Sequence, residues 1–176
     1  KGDATDKAAN VQTEVAALPL SLAAPYLAHS LEPTLDGKLR GQIDVAWAEP
    51  LTGENMHVYR SARGWDWSTE AFLASWTETE NFVLLLGDSK AGLLRFTPEQ
   101  QALYIRDVEI VPKYQRNGVG TFAVQYVEHL ARERGLAKVR LRVFRENAAH
   151  HLYRRLGFVP VGEDGGGLLR FEKHAA

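Results

Sequence analysis

Residues 108–130 constrain the fold of this 176-residue chain more than any other stretch, because they predict a strand, a tight loop and a helix in direct succession. The first N–H groups of a helix lack intrahelical partners and carry about half a positive charge, so a loop that opens onto them can bind an anion such as phosphate. Gly118 and Gly120 have no Cβ and would let the backbone approach that anion. Side-chain donors are available from Arg116, Asn117 and Thr121.

The segments around this loop predict a mixed α/β sheet. Apolar runs at 82–86 and 92–96, separated by a Gly-Asp turn, predict a hairpin, and residues 102–111 add a third antiparallel strand. Apolar residues at helical spacing predict a helix from 119 that ends at Gly135. The strict alternation of 138–144 then predicts a strand parallel to 102–111. A helix over 148–156 and strands at 158–161 and 168–172 complete the chain.

Before the hairpin the pattern is weaker. Residues 42–47 alternate and predict a first strand, after which Pro50 fits the first turn of a helix over 51–62 that ends at Gly64. Residues 57–59 are also compatible with a strand. Asp66 or Ser68 can cap the next helix, whose apolar face is formed by Phe72, Leu73 and Trp76.

Residues 1–40 are interpreted as an N-terminal extension or arm, and residues 41–176 as one domain. A short helix over 6–18 is possible in the arm. The arm is either a loosely attached tail or a dimerisation arm, and the latter would make the protein a homodimer. The apolar segment 16–28 is interrupted by two prolines and is too short to span a bilayer, and its flank is not basic. We therefore predict neither a membrane span nor a signal peptide.

Composition excludes several classes of protein. The net charge is −1, so we expect no bulk attraction to nucleic acid or to an acidic membrane. The chain has no cysteine, which excludes disulfides, thiolate metal ligands and a cysteine nucleophile, and which is compatible with the cytoplasm. We predict no metal site, because His150 and His151 are adjacent rather than four residues apart and no His-Glu-x-x-His occurs.

Two motifs identify a family. The glycine loop is neither a P-loop nor a dinucleotide fingerprint. Its pattern Gln115-x-x-Gly118-x-Gly120, after Val111-Pro112 at a strand end, resembles the pyrophosphate motif of the GNAT superfamily of acyl-CoA-dependent N-acetyltransferases. About thirty residues downstream, the segment Asn147-Ala-Ala-His-His-Leu-Tyr153 through Gly157-Phe158 is similar to the second motif of that family. The order of elements is also the same, and the resemblance covers roughly residues 42–173.

The resemblance implies the GNAT fold and acetyl-CoA as cosubstrate. The backbone of Ile110 and Val111 would pair with the pantetheine arm, and backbone N–H groups would bind the pyrophosphate. Tyr153 matches the tyrosine that protonates the departing thiolate, although a tyrosine there can also simply pack helix against sheet. Asn147 stands six residues before Tyr153 rather than the usual seven, where Glu146 is found. The implied cofactor-binding residues are Ile110, Val111, Gln115, Arg116, Asn117, Gly118, Val119, Gly120, Thr121, Asn147 and Tyr153.

The proposed reaction also needs a group that accepts a proton from the amine. An amine with a pKa near 10 must lose a proton before it attacks a thioester. Where many relatives have an acid, this chain has Arg106 and Arg142, which favour an acceptor that carries a carboxylate or phosphate. Asp107 and Glu109 lie two apart on one face of the strand and are candidate bases, or else acids on a solvated edge. We therefore expect N-acetylation of a primary amine of a small molecule or peptide. The alternative is a non-catalytic regulatory module that binds acyl-CoA.

Overall fold

The computed structural model describes residues 33–35 and 41–175. Residues 6–18, where a short helix could form, and most of the rest of the arm lie outside this range. The strands are β1 (Pro33–Leu35), β2 (Glu80–Leu86), β3 (Ser89–Glu99), β4 (Ala102–Ile110), β5 (Lys138–Phe144), β6 (Val159–Asp164) and β7 (Leu168–His174). The helices are α1 (Gly41–Ser61), α2 (Thr69–Trp76), α3 (Val119–Glu133) and α4 (Ala149–Arg155), with a 3-10 turn at Pro112–Tyr114.

Within the described residues the seven strands form one mixed sheet in the order β1-β2-β3-β4-β5-β7-β6. Strands β4 and β5 are parallel, and every other neighbouring pair is antiparallel. The predicted mixed sheet, its hairpin and its parallel crossover are therefore confirmed. Strand β1 was not predicted, and it pairs with β2 at the edge of the sheet. The domain boundary at residue 40 stays a prediction.

Helices cover both faces of the sheet. On one face, the apolar stripe of α3 packs with residues of the central strands, including Phe96, Leu103 and Val139. On the other face, Ala48 and Leu51 of α1 pack with Phe72 of α2 and Leu93 of β3. Each layer buries the apolar side of its helices, which is the main source of stability in such a fold. In the part of the chain that the structure describes, every helix is too short or too polar to cross a membrane.

The predicted first strand at 42–47 is wrong, because these residues begin α1. The six-residue alternation is short, whereas the contacts of Val45, Ala48 and Thr52 follow the three-to-four-residue spacing of a helix. Pro50 lies inside α1 rather than in its first turn. It removes one backbone hydrogen bond, and the packing of Ala48 and Leu51 on either side compensates for that loss.

Of the two candidate caps of α2, Asp66 and Ser68, Ser68 is the N-cap. The Ser68 hydroxyl accepts a hydrogen bond from the Ala71 N–H at 3.1 Å. Phe72 is buried and Trp76 packs beside it, but Leu73 is 44% exposed. The prediction for Leu73 is wrong because neighbouring residues of a helix point about 100° apart.

Candidate active site

A cavity of about 630 Å³ lies where β4 and β5 cease to pair. The two strands pair in parallel from Ala102 with Lys138 to Ile105 with Leu141. Beyond this point both strands line the cavity, together with residues of α1, the glycine loop and the first turn of α4. The motifs that are separated in sequence therefore meet at one cleft between the carboxyl ends of two parallel strands.

A β-bulge determines which side chains of β4 face the cleft from the side of α1. Arg95 of β3 pairs with Asp107 and its neighbour Phe96 pairs with Ile105, so Arg106 is an extra residue in β4. Before the bulge, Ile105 faces the α3 side of the sheet, in the same core as Phe96. After it, Asp107 and Glu109 take the face of their partners Arg95 and Leu93, beneath α1 and α2.

Glu109 is buried at the cavity wall, with 8% of its surface exposed. The Asn55 side chain on α1 donates from Nδ2 to Glu109 Oε2 at 2.8 Å. Burial, followed by the charge of Asp107, raises the pKa of Glu109 to about 8, although the hydrogen bond from Asn55 acts in the opposite direction. The interpretation of Glu109 as an acid on a solvated edge is therefore wrong.

Asp107 is held by a buried cation. Its Oδ2 lies 3.1 Å from Nη1 of Arg95, which is only 2% exposed. Arg95 also donates to the Ser75 hydroxyl at 2.7 Å and lies over the Phe72 ring. Burial raises the pKa of Asp107 and the Arg95 charge lowers it. Asp107 is therefore engaged in fastening β4 to α2, whereas Glu109 has no cation beside it in the described contacts.

Tyr153 projects from α4 into the same cavity and packs against Phe158 and Phe171. Burial, followed by the charges of Glu109 and Asp107, raises the pKa of its hydroxyl well above the usual value. The hydroxyl therefore keeps its proton at neutral pH and is available as a donor. Tyr153 therefore both packs α4 against the sheet and lines the cavity.

The glycine loop leads into α3 with left-handed backbone at Arg116 (φ 62°) and Gly118 (φ 85°). Gly118 is the N-cap of α3, and no side chain caps this end of the helix. Cavity-lining residues of the loop are Gln115, Arg116, Gly118, Gly120 and Thr121. Three of the predicted cofactor-binding residues do not line it: Val111 lies at the end of β4, Asn117 is exposed, and the Val119 side chain is buried in the core.

The backbone hydrogen bonds at the end of β4 show which groups of Ile110 and Val111 face the cavity, where the pantetheine contact is predicted. The Val111 N–H donates to the Ala91 carbonyl at 2.9 Å, and the Val111 carbonyl accepts from the Tyr114 N–H at 2.8 Å. Because a trans peptide directs its C=O opposite to its N–H, the Ile110 carbonyl points away from β3, toward the cavity. The Ile110 carbonyl therefore faces the cleft, where it accepts hydrogen bonds from the Asn55 and Gln115 side chains, and both backbone groups of Val111 are bonded as well.

The second motif also places its residues at the cavity. Asn147 lines it, and its Oδ1 accepts a hydrogen bond from the Ala149 N–H at the start of α4. Glu146, at the position where the family has asparagine, forms an ion pair with Arg63 at 2.8 Å on the surface. The one-residue offset thus leaves Asn147, rather than Glu146, at the cleft.

The two arginines at the acceptor side have different surroundings. Both line the cavity and lie near the Tyr104 ring, at 5.5 Å for Arg106 and 5.8 Å for Arg142. Arg142 Nε forms an ion pair with Asp164 at 2.9 Å. Within residues 45–175 no carboxylate forms an ion pair with Arg106. Its charge is therefore the less compensated of the two.

Three cavity-lining residues of α1 were not predicted: Asn55, Met56 and Tyr59. The sequence analysis predicted a helix over these residues, with a strand at 57–59 as an alternative, but it gave no indication of which helix face contacts β4. The residues of α1 before 51, which pack on the same sheet, were predicted as a strand.

The family model described as the acetyltransferase (GNAT) family matches residues 47–158. The chain belongs to the GNAT acetyltransferase family. This match confirms the resemblance drawn from the glycine loop and the Tyr153 motif, and it includes most of α1, which contributes to the cavity.

Individual relatives agree with this family. A streptothricin acetyltransferase of Streptomyces lavendulae is 40% identical over 91 residues, or 49% of this chain and 48% of that protein. The chain thus matches about half the length of this relative. The crystal structure of a nourseothricin acetyltransferase is 28% identical with a TM-score of 0.51, over 56% of this chain and 66% of that one.

The fold extends beyond those two matches. The Escherichia coli ribosomal-protein-S18-alanine N-acetyltransferase is 21% identical and has a TM-score of 0.61, over 82% of this chain and 95% of that one. At this identity the likeness establishes the architecture alone, and it confirms the predicted GNAT fold.

Proposed function

We propose that this protein is an N-acetyltransferase that transfers an acetyl group from acetyl-CoA to a primary amine by direct attack. One observation carries the proposal. A buried carboxyl group, Glu109, and a buried tyrosine, Tyr153, both line the cavity onto which the glycine loop opens. Family membership supports an acyl-CoA as the acyl donor, since the matching model describes acetyltransferases.

The glycine loop would hold the pyrophosphate of CoA. The N-terminus of α3 has no side-chain cap, and the left-handed residues Arg116 and Gly118 turn the preceding backbone toward it. Such a concave run of N–H groups at a helix N-terminus favours a bound phosphate. The pantetheine arm would then follow the end of β4 in the cleft, past the Ile110 carbonyl that Asn55 and Gln115 already bind.

Glu109 would act as the general base. Only its ionised form accepts a proton, and a pKa of about 8 leaves a usable ionised fraction near neutral pH. The ammonium group of the acceptor loses one proton to Glu109, and the neutral amine nitrogen forms a bond to the thioester carbonyl carbon. The carbon–sulfur bond then breaks, the CoA thiolate takes a proton from the Tyr153 hydroxyl, and the second proton of the nitrogen passes through solvent to the tyrosinate, which restores Tyr153. Asp107 would hold β4 in place rather than take the proton, because Arg95 already binds it.

The acceptor is a primary amine of a small molecule or peptide. Because two relatives are named as a streptothricin and a nourseothricin acetyltransferase, streptothricin and nourseothricin are the first compounds to test. Arg106 and Arg142 favour an acceptor that also carries an acidic group. If so, Arg106→Ala should raise the acceptor KM more than Arg142→Ala, because Asp164 already compensates Arg142. Equal acceptor KM values in the two variants and the wild type would remove this part of the proposal.

The decisive experiment follows thiol release from acetyl-CoA with a panel of amines that includes streptothricin, dipeptides and amino acids. We expect turnover with at least one amine, and a loss of about 10²- to 10⁴-fold in kcat for Glu109→Gln and for Tyr153→Phe. Calorimetry with CoA shows separately whether these variants still bind the cofactor. CoA binding without thiol release for any amine would instead support the regulatory module. Absence of CoA binding would contradict both functions.

A further inference from the structure

We propose that Asn55 is a positioning residue, which fixes one oxygen of Glu109 and the end of β4 so that the other oxygen faces the acceptor amine. This inference rests on the proposed function, because it assigns Asn55 a role through the proposed base. Asn55 Nδ2 lies 2.8 Å from Glu109 Oε2 and 3.3 Å from the Ile110 carbonyl oxygen. The two hydrogens of one amide nitrogen can serve these two acceptors at once.

Helix formation does not explain an asparagine at this position. Asn55 lies in the third quarter of the 21-residue α1, where an asparagine is a weaker helix former than alanine. Its side chain contacts two residues of β4, Glu109 and Ile110, which lie 54 and 55 positions later in the chain. The asparagine therefore contributes hydrogen bonds to β4 in the cleft rather than stability to the helix.

The Ile110 carbonyl joins the two halves of the site. It accepts a hydrogen bond from Asn55 on the acceptor side, and another from Gln115 Nε2 of the glycine loop at 3.2 Å. One backbone oxygen therefore connects α1, β4 and the loop that would hold the cofactor. Asn55 binds this oxygen and Glu109 together, so it sets the distance of the base from the thioester.

Asn55 also lowers the pKa of Glu109. A hydrogen bond donated to a carboxylate stabilises its ionised form, so removal of the donor should move the titration of Glu109 to higher pH. The other charged or titratable groups around the cavity come from every element that surrounds it. They are Tyr59 of α1, Arg106 and Asp107 of β4, Arg116 of the loop, Arg142 of β5, and Tyr153 and Arg155 of α4. None of these is changed by a substitution at Asn55.

The test compares the pH profiles of kcat/KM for the wild type, Asn55→Ala and Asn55→Asp. We expect the ascending limb of Asn55→Ala to move up by about one to two pH units, with kcat at pH 7 reduced about tenfold or more and the acetyl-CoA KM changed less. Asn55→Asp preserves the shape of the side chain but removes both donors and adds a carboxyl group. It should move the limb at least as far, and it carries the test if the alanine variant does not fold.

Thr52→Ala is the matched control. Thr52 is buried on the same helix, and its hydroxyl donates only to the Ala48 carbonyl of α1 at 2.9 Å. This variant should lose stability without moving the limb. Wild-type kcat and an unmoved limb in both Asn55 variants would overturn the inference. If instead Glu109→Gln keeps the ascending limb, Glu109 is not the base, and the proposed mechanism fails before Asn55 is considered.

Discussion

Replacement of Glu109 by glutamine should make the protein more stable at pH 8, although it removes the proposed base. The folded protein holds a proton on Glu109 up to a pKa of about 8, whereas the unfolded chain releases it near 4.5. Between these values the native state binds more protons than the unfolded state, so stability falls as the pH rises. The slope approaches about 1.4 kcal/mol per pH unit, and integration from pH 5 to pH 8 predicts a loss of about 3 to 4 kcal/mol in the free energy of unfolding.

The variant Glu109→Gln has the same shape and keeps an acceptor oxygen for Asn55, but it cannot ionise. Its free energy of unfolding should match the wild type to within about 1 kcal/mol at pH 5 and exceed it by about 3 to 4 kcal/mol at pH 8. Urea denaturation of both proteins at half-unit steps of pH measures this difference, and subtraction of the two curves cancels the other titrating groups. Parallel curves from pH 5 to pH 8 would show that Glu109 ionises normally in the folded protein.

Two further predictions concern the groups around the cleft. Arg95→Met should cost about 3 kcal/mol in urea denaturation because it leaves the Asp107 carboxylate without its buried partner, and a second change of Asp107→Asn should recover part of this loss. Equal stability of the single and double variants would contradict the pairing. Gly118→Ala should cost about 1 to 2 kcal/mol in thermal denaturation because φ is 85°. Gly120→Ala should stay within about 0.5 kcal/mol, since its new Cβ would lie 3.5 Å from the nearest side chain. Equal losses for the two glycines would refute the distinction.

Much of the sheet was predictable because its signals are local. The hairpin between β2 and β3, the crossover from β4 to β5 and the start of α3 follow from turn residues and apolar periodicity over short windows. The start of α1 was not predictable in this way. Residues 42–47 alternate like a strand, and their helical spacing is evident only together with Ala48 and Thr52, which are buried by elements that come later in the chain.

The candidate site was predicted in part for a similar reason. Motif spacing identified the glycine loop and Tyr153, and the two-residue spacing of Asp107 and Glu109 predicted their common face. The sequence did not show which of the two acids has a cation beside it, because Arg95 reaches Asp107 across the register of β3 and β4. Asn55 was missed because its partner lies 54 residues away. Contacts of this kind depend on strand register and helix rotation, which short sequence patterns do not specify.

The extra residue of β4 has a consequence for how the site can be changed. Arg106 shifts the frame of the strand by one position, so every side chain after it lies on the face opposite to the one that plain alternation from Ile105 would give it. Deletion of residue 106 would therefore exchange the two faces of the strand end: Glu109 would turn toward the α3 core, and the apolar Val108 and Ile110 would turn toward Asn55. A substitution at position 106 changes one side chain, whereas its deletion changes which side chains of residues 107–110 line the cavity. The placement of the carboxyl group in this cleft is thus encoded in the number of residues in the strand as well as in their identity.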